Sequence, residues 1–128
     1  MNNLIEAAIK CLPQYKRLSP AVAKFFMDYF ELWNQPGGCH EPNQYFAERE
    51  GVGIKTIEAR FKKLRDLKVL KTTVNKFRDT YYTNQSGFIT TRKNELDPVF
   101  KAQLEDVLKK IKEELARRRT MSVSFKRV

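Results

Sequence analysis

The segment GVGIKT, residues 51–56, comes closer than other parts of the chain to a known chemical motif. In phosphate-binding loops, backbone amides, a lysine and a hydroxyl hold a triphosphate, and a glycine stands directly before the lysine. Here Ile54 separates Gly53 from Lys55, and the preceding NQYFAERE favours a helix rather than the required strand. We therefore interpret the segment as a tight turn and predict no small-molecule ligand.

The residues that usually perform catalysis or bind metals are sparse. His40 is the single histidine, and Cys39 beside it does not complete a four-ligand zinc set with Cys11. No arrangement of Ser, His and Asp and no paired acidic cluster is evident, so nucleophilic and two-metal chemistry lack their groups. The sequence predicts a protein that is not an enzyme and that holds no metal or cofactor.

The charge balance points to a polyanionic partner. Among 128 residues, 25 Lys and Arg face 15 Asp and Glu, which gives a net charge of +10, and 41% of the residues are hydrophobic. Such a chain folds, and it is attracted to nucleic acid or to an anionic membrane surface. No apolar run reaches the ~18 residues of a membrane span, and the N-terminus lacks the basic region of a secretory signal. We expect a cytoplasmic protein with free thiols.

The N-terminal quarter, residues 1–34, predicts two helices. The first has an apolar face and ends at Pro13, and the basic stretch QYKRL is predicted to be a connection. The second begins with Ser19 as N-cap and Pro20 in the first turn, and it stops before Pro36. Its apolar residues recur at helical spacing and predict a buried stripe: Val22, Phe25, Phe26, Tyr29, Phe30 and Trp33.

Residues 43–67 predict two short helices joined by a tight turn. Asn43 is the expected cap of the first helix, and Gly51 is expected to end it. In the second helix, Ile57, Phe61 and Leu64 follow one face and predict its buried side. This is the helix-turn-helix pattern.

The rest of the chain predicts strands and then a long helix. Residues 69–93 are rich in Thr, Val, Tyr and Phe, with turn signals at 75–80 and 84–87, and they predict two or three short antiparallel strands. Asp97 and Pro98 begin a helix over 97–119, and the basic tail 120–128 is expected to be a frayed end or an edge strand. The predicted fold is one domain, 1–128, mainly α with a small antiparallel β-hairpin (α+β).

Residues 40–70 resemble the winged helix-turn-helix domains of bacterial, plasmid and phage regulators and replication initiators. The likeness is carried by these positions: Pro42, Phe46-Ala47, Gly51-Val52, Thr56-Ile57, Phe61, Leu64 and Val69-Leu70. It implies a buried Val52 in the turn, a recognition helix opened by Thr56 and Ile57, and a wing that begins at Leu70. Two positions depart from the pattern, since Gly53 stands where Ser is usual and Arg60 where a small residue often packs.

The outward side of the second helix is predicted to hold Lys55, Glu58, Ala59, Lys62 and Asp66, and its N-terminal part is expected to enter a major groove. Lys55 can donate to guanine or to a phosphate, and Thr56 can cap the helix or touch a phosphate. A carboxylate is repelled by phosphates, so Glu58 indicates a contact to cytosine N4. The alternative is that Glu58 pairs with Lys62 one turn later.

Phosphate contacts are predicted on both sides of that helix. Asn43 and Gln44 begin the preceding helix, whose amides and dipole favour a phosphate, although Asn43 is equally explained as a simple cap. Basic residues of the wing can reach the DNA backbone or minor groove, or can protect an exposed strand edge. The predicted DNA-binding set is Asn43, Gln44, Gly53, Lys55, Thr56, Glu58, Ala59, Lys62, Lys71, Lys76 and Arg78.

The last helix carries an apolar stripe five turns long. Either this stripe packs across the N-terminal helix or it pairs with a second copy, and a homodimer would suit a reader of two symmetric half-sites. The sequence therefore predicts a double-stranded DNA-binding homodimer acting in transcription regulation or in replication, transfer or partition of a plasmid or phage. A protein-docking winged helix and an RNA- or single-strand-binding protein are the alternatives.

Overall fold

The computed structural model describes the backbone of residues 3–78 and 88–126, and the side chains of 3–75 and 91–119. Its elements are α1 (Asn3–Cys11), α2 (Pro13–Lys16), α3 (Pro20–Asn34), α4 (Asn43–Glu50), α5 (Ile54–Asp66), β1 (Leu70–Arg78), β2 (Phe88–Leu96) and α6 (Pro98–Lys126). Within these ranges the chain is mostly helical with one antiparallel hairpin, which confirms the predicted fold class and gives a winged-helix-like architecture.

Helix α3 forms the centre of the core. Ser19 caps it by accepting from the Val22 amide, and Pro20 occupies its first turn. Phe25 lies 5.9 Å from Phe46 of α4 and 5.5 Å from Phe61 of α5, measured between ring centroids. The aromatic stripe that the sequence predicted is thus the surface on which both helices of the helix-turn-helix pair are seated, and of its six residues only Val22 is not fully buried.

The tight turn between the end of α4 and the start of α5 sets the angle and position of α5. Gly51 ends α4 with φ 65°, and the Val52 amide reaches back to the Ala47 carbonyl. Glycine adopts this left-handed conformation without the clash that a side chain would add. Val52, predicted to be buried, is half-buried against the core. Helix α5 begins at Ile54, two residues before the opening that the family resemblance implies.

The hairpin is longer than the sequence predicted. β1 and β2 pair over nine residues each, from Leu70 opposite Leu96 to Arg78 opposite Phe88. The turn expected at 75–80 is wrong for residues 75–78, because Asn75 pairs with Thr91 inside the ladder. Residues 79 and 80 and the turn signal at 84–87 lie outside the described residues. β2 continues to Leu96, past the expected limit of 93, because Leu96 is buried against the core.

A short third pairing ties the hairpin to the loop before α4. The amides and carbonyls of Cys39 and Asn94 exchange hydrogen bonds of 2.7 and 2.8 Å. Gly38, at φ 71°, allows this close approach, since a Cβ there would lie 2.8 Å from the Asn94 carbonyl oxygen. No local pattern in the sequence indicates this bridge, because it joins segments more than fifty residues apart.

Three further expectations are corrected. The QYKRL connection contains a helical turn, α2, because Pro13 starts a new helix as its first residue. Asn43 is not the cap of α4, since Pro42 occupies that position in an extended conformation and its carbonyl accepts from the Tyr45 amide. The tail is neither frayed at 120 nor a strand over its described part, because α6 continues to Lys126. Asp97 does begin α6, with its carboxylate accepting from the Val99 amide at 2.9 Å.

No helix in the described ranges combines the length and apolarity needed to cross a bilayer.

Candidate nucleic-acid interface

Helix α5 separates its apolar and polar residues cleanly. Ile57, Phe61 and Leu64 are at most 1% exposed, as the sequence predicted. The opposite side is exposed and consists of Lys55, Glu58, Ala59, Lys62 and Asp66. The buried side of α5 packs against α3, and this packing fixes the rotation of α5 about its own axis. The polar residues on the opposite side therefore stay exposed to solvent.

A groove runs between this exposed side of α5 and the hairpin. Its volume is about 700 Å3, and it is open to solvent along its length. The lining residues are Asn43, Lys55, Glu58, Ala59, Lys62, Arg65, Thr72, Val74 and Arg92. Four of these side chains are basic and one is acidic, so the groove has a positive potential that attracts an anion.

Five of the eleven predicted binding residues meet in this groove: Asn43, Lys55, Glu58, Ala59 and Lys62. Gly53 and Thr56 lie at the start of α5, exposed but outside the groove lining, and the Thr56 amide donates to the Gly53 carbonyl. Gln44 is exposed on α4, where its side-chain amide donates to Glu48 at 2.9 Å. These three residues flank the groove rather than line it.

Of the predicted wing residues, the structure describes the side chain of one and only the backbone of the other two. Lys71 is exposed on β1 opposite Glu95, but it is not part of the groove lining. Lys76 and Arg78 belong to β1, paired with Thr90 and Phe88 in the backbone register. Their side chains lie outside the described ones, so their part in the interface remains the expectation from the sequence.

Glu58 does not form the ion pair with Lys62 that the sequence offered as an alternative. Lys62 instead pairs with Asp66, at 3.1 Å between Nζ and Oδ2, in an exposed contact one turn further along α5. Within the described residues the Glu58 carboxylate has no hydrogen-bond or ion-pair partner. Glu58 is thus a carboxylate without a partner among the side chains that the structure describes, in a groove whose other charged lining residues are basic.

Four lining residues were missed by the sequence analysis: Arg65, Thr72, Val74 and Arg92. Arg65 lies three residues after Lys62, and helical spacing alone would have added it to the exposed face. Thr72 and Val74 follow the two-residue alternation of β1. Arg92 is placed in the groove by its register opposite Val74, which the sequence does not fix.

A chain of side-chain hydrogen bonds connects α5 to both strands at the groove. Arg65 donates to the Thr72 hydroxyl at 3.4 Å, and Thr72 donates to the Asn94 side-chain oxygen at 2.6 Å. Asn94 is only 1% exposed, and the same residue holds the bridge to Cys39. The bond between Thr72 and Asn94 joins the two strands, and the contact of Arg65 with Thr72 connects this pair to α5 across the groove.

A second groove of about 430 Å3 adjoins the first at the start of α4. His40, Pro42, Asn43, Thr91 and Arg92 line it, so Asn43 and Arg92 belong to both grooves. The Asn43 side-chain oxygen is buried and has no hydrogen-bond partner among the described residues. Since this oxygen accepts hydrogen bonds, it is not the group that would hold a phosphate; the Asn43 side-chain amide and the Arg92 guanidinium are the donors available there.

Comparisons with known proteins add little to this geometry. No protein-family model and no curated protein matches the chain. Among solved structures, a chain described as "Possible transcriptional regulator from Methanosarcina mazei Go1" aligns with a TM-score of 0.47 and 12% identity, covering 91% of this chain and 87% of its own length. That TM-score is too low to establish a shared fold, so the description applies to the neighbour and not to this chain.

Proposed function

We propose that the protein binds double-stranded DNA, with α5 in the major groove and the hairpin against the adjacent backbone. The groove between α5 and the hairpin carries the proposal, because it gathers Lys55, Lys62, Arg65 and Arg92 around one carboxylate, Glu58. Basic side chains bind the phosphates of any DNA sequence. A carboxylate among them does not bind phosphates, but it can distinguish one base from another.

The dimensions of α5 fit this role. It has 13 residues, about 20 Å of helix, and its exposed side presents three successive turns of polar residues. A major groove is about 12 Å wide and admits one α-helix, whose N-terminal residues contact base edges. Lys55, Glu58 and Ala59 lie in the N-terminal half of α5, and in this proposal Lys62 and Arg65, further along the helix, contact the DNA backbone.

The ion pair between Lys62 and Asp66 does not oppose this use. Both side chains are more than half exposed, and pairs of this kind contribute little to stability because solvent screens them. Lys62 can exchange the Asp66 carboxylate for a phosphate at small cost.

Within this proposal the protein regulates transcription or serves replication, transfer or partition of a plasmid or phage. It acts as a homodimer through α6, because two copies of α5 would then read two half-sites related by symmetry. This homodimer is a separate part of the proposal, since duplex binding by α5 does not require it.

Duplex binding measured over a range of salt concentrations tests the function. The logarithm of the association constant should fall linearly with the logarithm of the salt concentration, with a slope of about −0.9 for each phosphate neutralised. A protein-docking module would show no salt-dependent duplex binding at all. A single-strand or RNA binder would prefer a single-stranded competitor over the duplex, and either result would reject the proposal.

A random-pool selection with duplex DNA then identifies the target. An enriched palindrome would indicate two half-sites read by a symmetric dimer, whereas direct repeats would indicate head-to-tail binding. A pool without enrichment would show that the contacts are confined to the DNA backbone.

A further inference from the structure

Helix α6 extends well beyond the part of the molecule that covers it. It has 29 residues, about 43 Å of helix, whereas α1, which packs against it, has 9 residues and spans about 13 Å. Gln14, just after α1, donates to Gln103 of α6 at 2.6 Å and marks where the shorter helix ends on the longer one. Within the described part of the chain, the helix that packs against α6 is therefore much shorter than α6 itself.

The apolar stripe of α6 becomes more exposed along the helix. Phe100 and Leu104 are at most 4% exposed in the core. Leu108 and Ile111 are half-buried, and Leu115 is 40% exposed. The intrachain packing that the sequence offered as an alternative to a dimer thus covers the first turns of the stripe fully, covers Leu108 and Ile111 only in part, and leaves Leu115 exposed.

An open groove lies along one flank of this stripe. Its volume is about 480 Å3, and its lining is largely apolar, from Leu108, Ala116 and the carbon chains of the charged residues. Its charged lining residues are Glu105, Lys109, Lys112 and Glu113. A second helix placed on Leu108 and Leu115 would have Glu105 and Lys112 at its edge, because helical spacing puts these two nearest the stripe.

The charges of α6 differ in whether they are satisfied within the chain. Asp106 pairs with Lys110, and Glu114 pairs with both Arg117 and Arg118. By contrast, Glu105 and Lys112 take part in no ion pair among the described residues. Lys109 and Glu113 of the same groove are also unpaired among the described residues, and by helical spacing Glu105 and Lys112 are the two of these four that lie nearest the apolar stripe.

We infer that α6 pairs with α6 of a second copy in an antiparallel arrangement, with Leu108 of each copy against Ile111 of the other. Leu115 of each copy then covers the turn between Leu104 and Leu108 of the other. In this register Glu105 of one helix lies beside Lys112 of its partner, and the twofold symmetry makes this contact twice. The inference rests on the homodimer part of the proposed function and not on DNA binding.

A parallel arrangement is disfavoured by the same charges. It would place Arg117, Arg118 and Arg119 of both copies side by side and would align the two helix dipoles. In the antiparallel pair, the arginines of the two copies lie at opposite ends of the contact, each set beside residues 98–102 of the partner helix. Charge complementarity therefore selects the antiparallel orientation, and the apolar stripe supplies the contact area.

Sedimentation equilibrium without DNA tests the pairing. The unmodified protein should be a dimer, and Leu115→Glu should raise its dimer dissociation constant on the order of a hundredfold by burying a charge in the seam. Val99→Glu is the matched control, because Val99 is 64% exposed on the other side of the same helix. A monomeric unmodified protein, or equal effects of the two variants, would overturn the inference.

Charge reversal tests the register and the orientation. Glu105→Lys and Lys112→Glu should each weaken their own homodimer on the order of tenfold, since each replaces two attractions by two repulsions. An equimolar mixture of the two variants should form a heterodimer as tight as the unmodified dimer, because both contacts then join opposite charges. In a parallel dimer residues 105 and 112 do not meet, so mixing would restore nothing, and that result would reject the antiparallel register.

These measurements separate the pairing from the proposed function. If the protein is monomeric yet binds duplex DNA with the expected salt dependence, the inference fails and duplex binding stands. If it forms the antiparallel dimer yet does not bind duplex, the pairing stands and the proposed function fails.

Discussion

The Arg60 guanidinium of α5 lies 3.3 Å from the Glu50 carboxylate at the end of α4. The two side chains are about one fifth exposed, and the guanidinium also lies over the Phe25 ring, 5.5 Å from its centroid. Arg60 thus joins α5 to α4 through the ion pair and joins α5 to the central helix α3 through the Phe25 ring. Arg60, which departs from the family pattern, is accommodated because Glu50 and the aromatic ring provide its partners.

Arg60→Ala should lower the free energy of unfolding by about 1–3 kcal/mol, because it removes a partly buried ion pair and leaves the Glu50 carboxylate without its partner. Urea unfolding measures the change. Lys63→Ala, at an exposed position on the same helix, is the control and should change stability by less than about 0.5 kcal/mol. Equal effects would show that Arg60 contributes no more than an exposed surface charge.

Lys68, two residues after the last residue of α5, has a φ of 61°, in the left-handed region that favours glycine. The Lys68 and Val69 amides reach back to the carbonyls of Arg65 and Leu64, the pattern in which helices commonly end on glycine. Lys68→Gly should therefore raise the free energy of unfolding, by about 0.5–1 kcal/mol, since it relieves the strain of a side chain there. Gly51→Ala, at the equivalent end of α4, should have the opposite sign in the same thermal and chemical unfolding experiments.

The two thiols should differ in reactivity. Burial raises the pKa of the Cys39 thiol, so this group stays protonated and unreactive over the range in which an ordinary thiol begins to ionise. Cys11 is exposed. In the native protein a thiol reagent at mildly alkaline pH should modify one cysteine per chain, and mass spectrometry should place it at Cys11. In denaturant both should react, and rapid native labelling of Cys39 would contradict its burial.

The basic residues of the groove should act on all DNA sequences alike. Arg65→Ala and Arg92→Ala should each weaken duplex binding and reduce the magnitude of the salt slope by about 0.9 if each cation contacts one phosphate. Lys24→Ala, on the exposed side of α3, removes the same charge away from the groove and is the control. The double variant Lys76→Ala with Arg78→Ala should behave like the groove variants, and an unchanged affinity would remove the wing tip from the interface.

Glu58 should act on sequence preference instead. Glu58→Ala should alter the preferred base at one position of the site, with a discrimination change of about 1–3 kcal/mol, because a carboxylate can accept from cytosine N4. Selection from a random duplex pool, carried out with both proteins, measures this. Glu6→Ala, which removes a partly exposed carboxylate on α1 away from the groove, is the control. Identical preferences for the Glu58 variant and the unmodified protein would show that this carboxylate does not read a base.

Local patterns in the sequence were sufficient for the elements that bury a periodic face. The stripes of α3 and α5 were predicted residue by residue, because a helix with apolar residues three and four apart has one stable way to place them. Chain breaks were predicted for a similar reason, since Ser19, Gly51 and Asp97 act on backbone groups a few residues away.

Tertiary contacts decided what those patterns left open. The bridge from Cys39 to Asn94, the register that places Arg92 opposite Val74, and the bond between Thr72 and Asn94 all join segments distant in sequence. Strand register depends on which residues the rest of the core buries, and a change of one residue would turn Arg92 away from the groove. The sequence by itself therefore determined a basic helix-turn-helix with its exposed side, while packing between α5 and the hairpin decided which cations share one groove with Glu58.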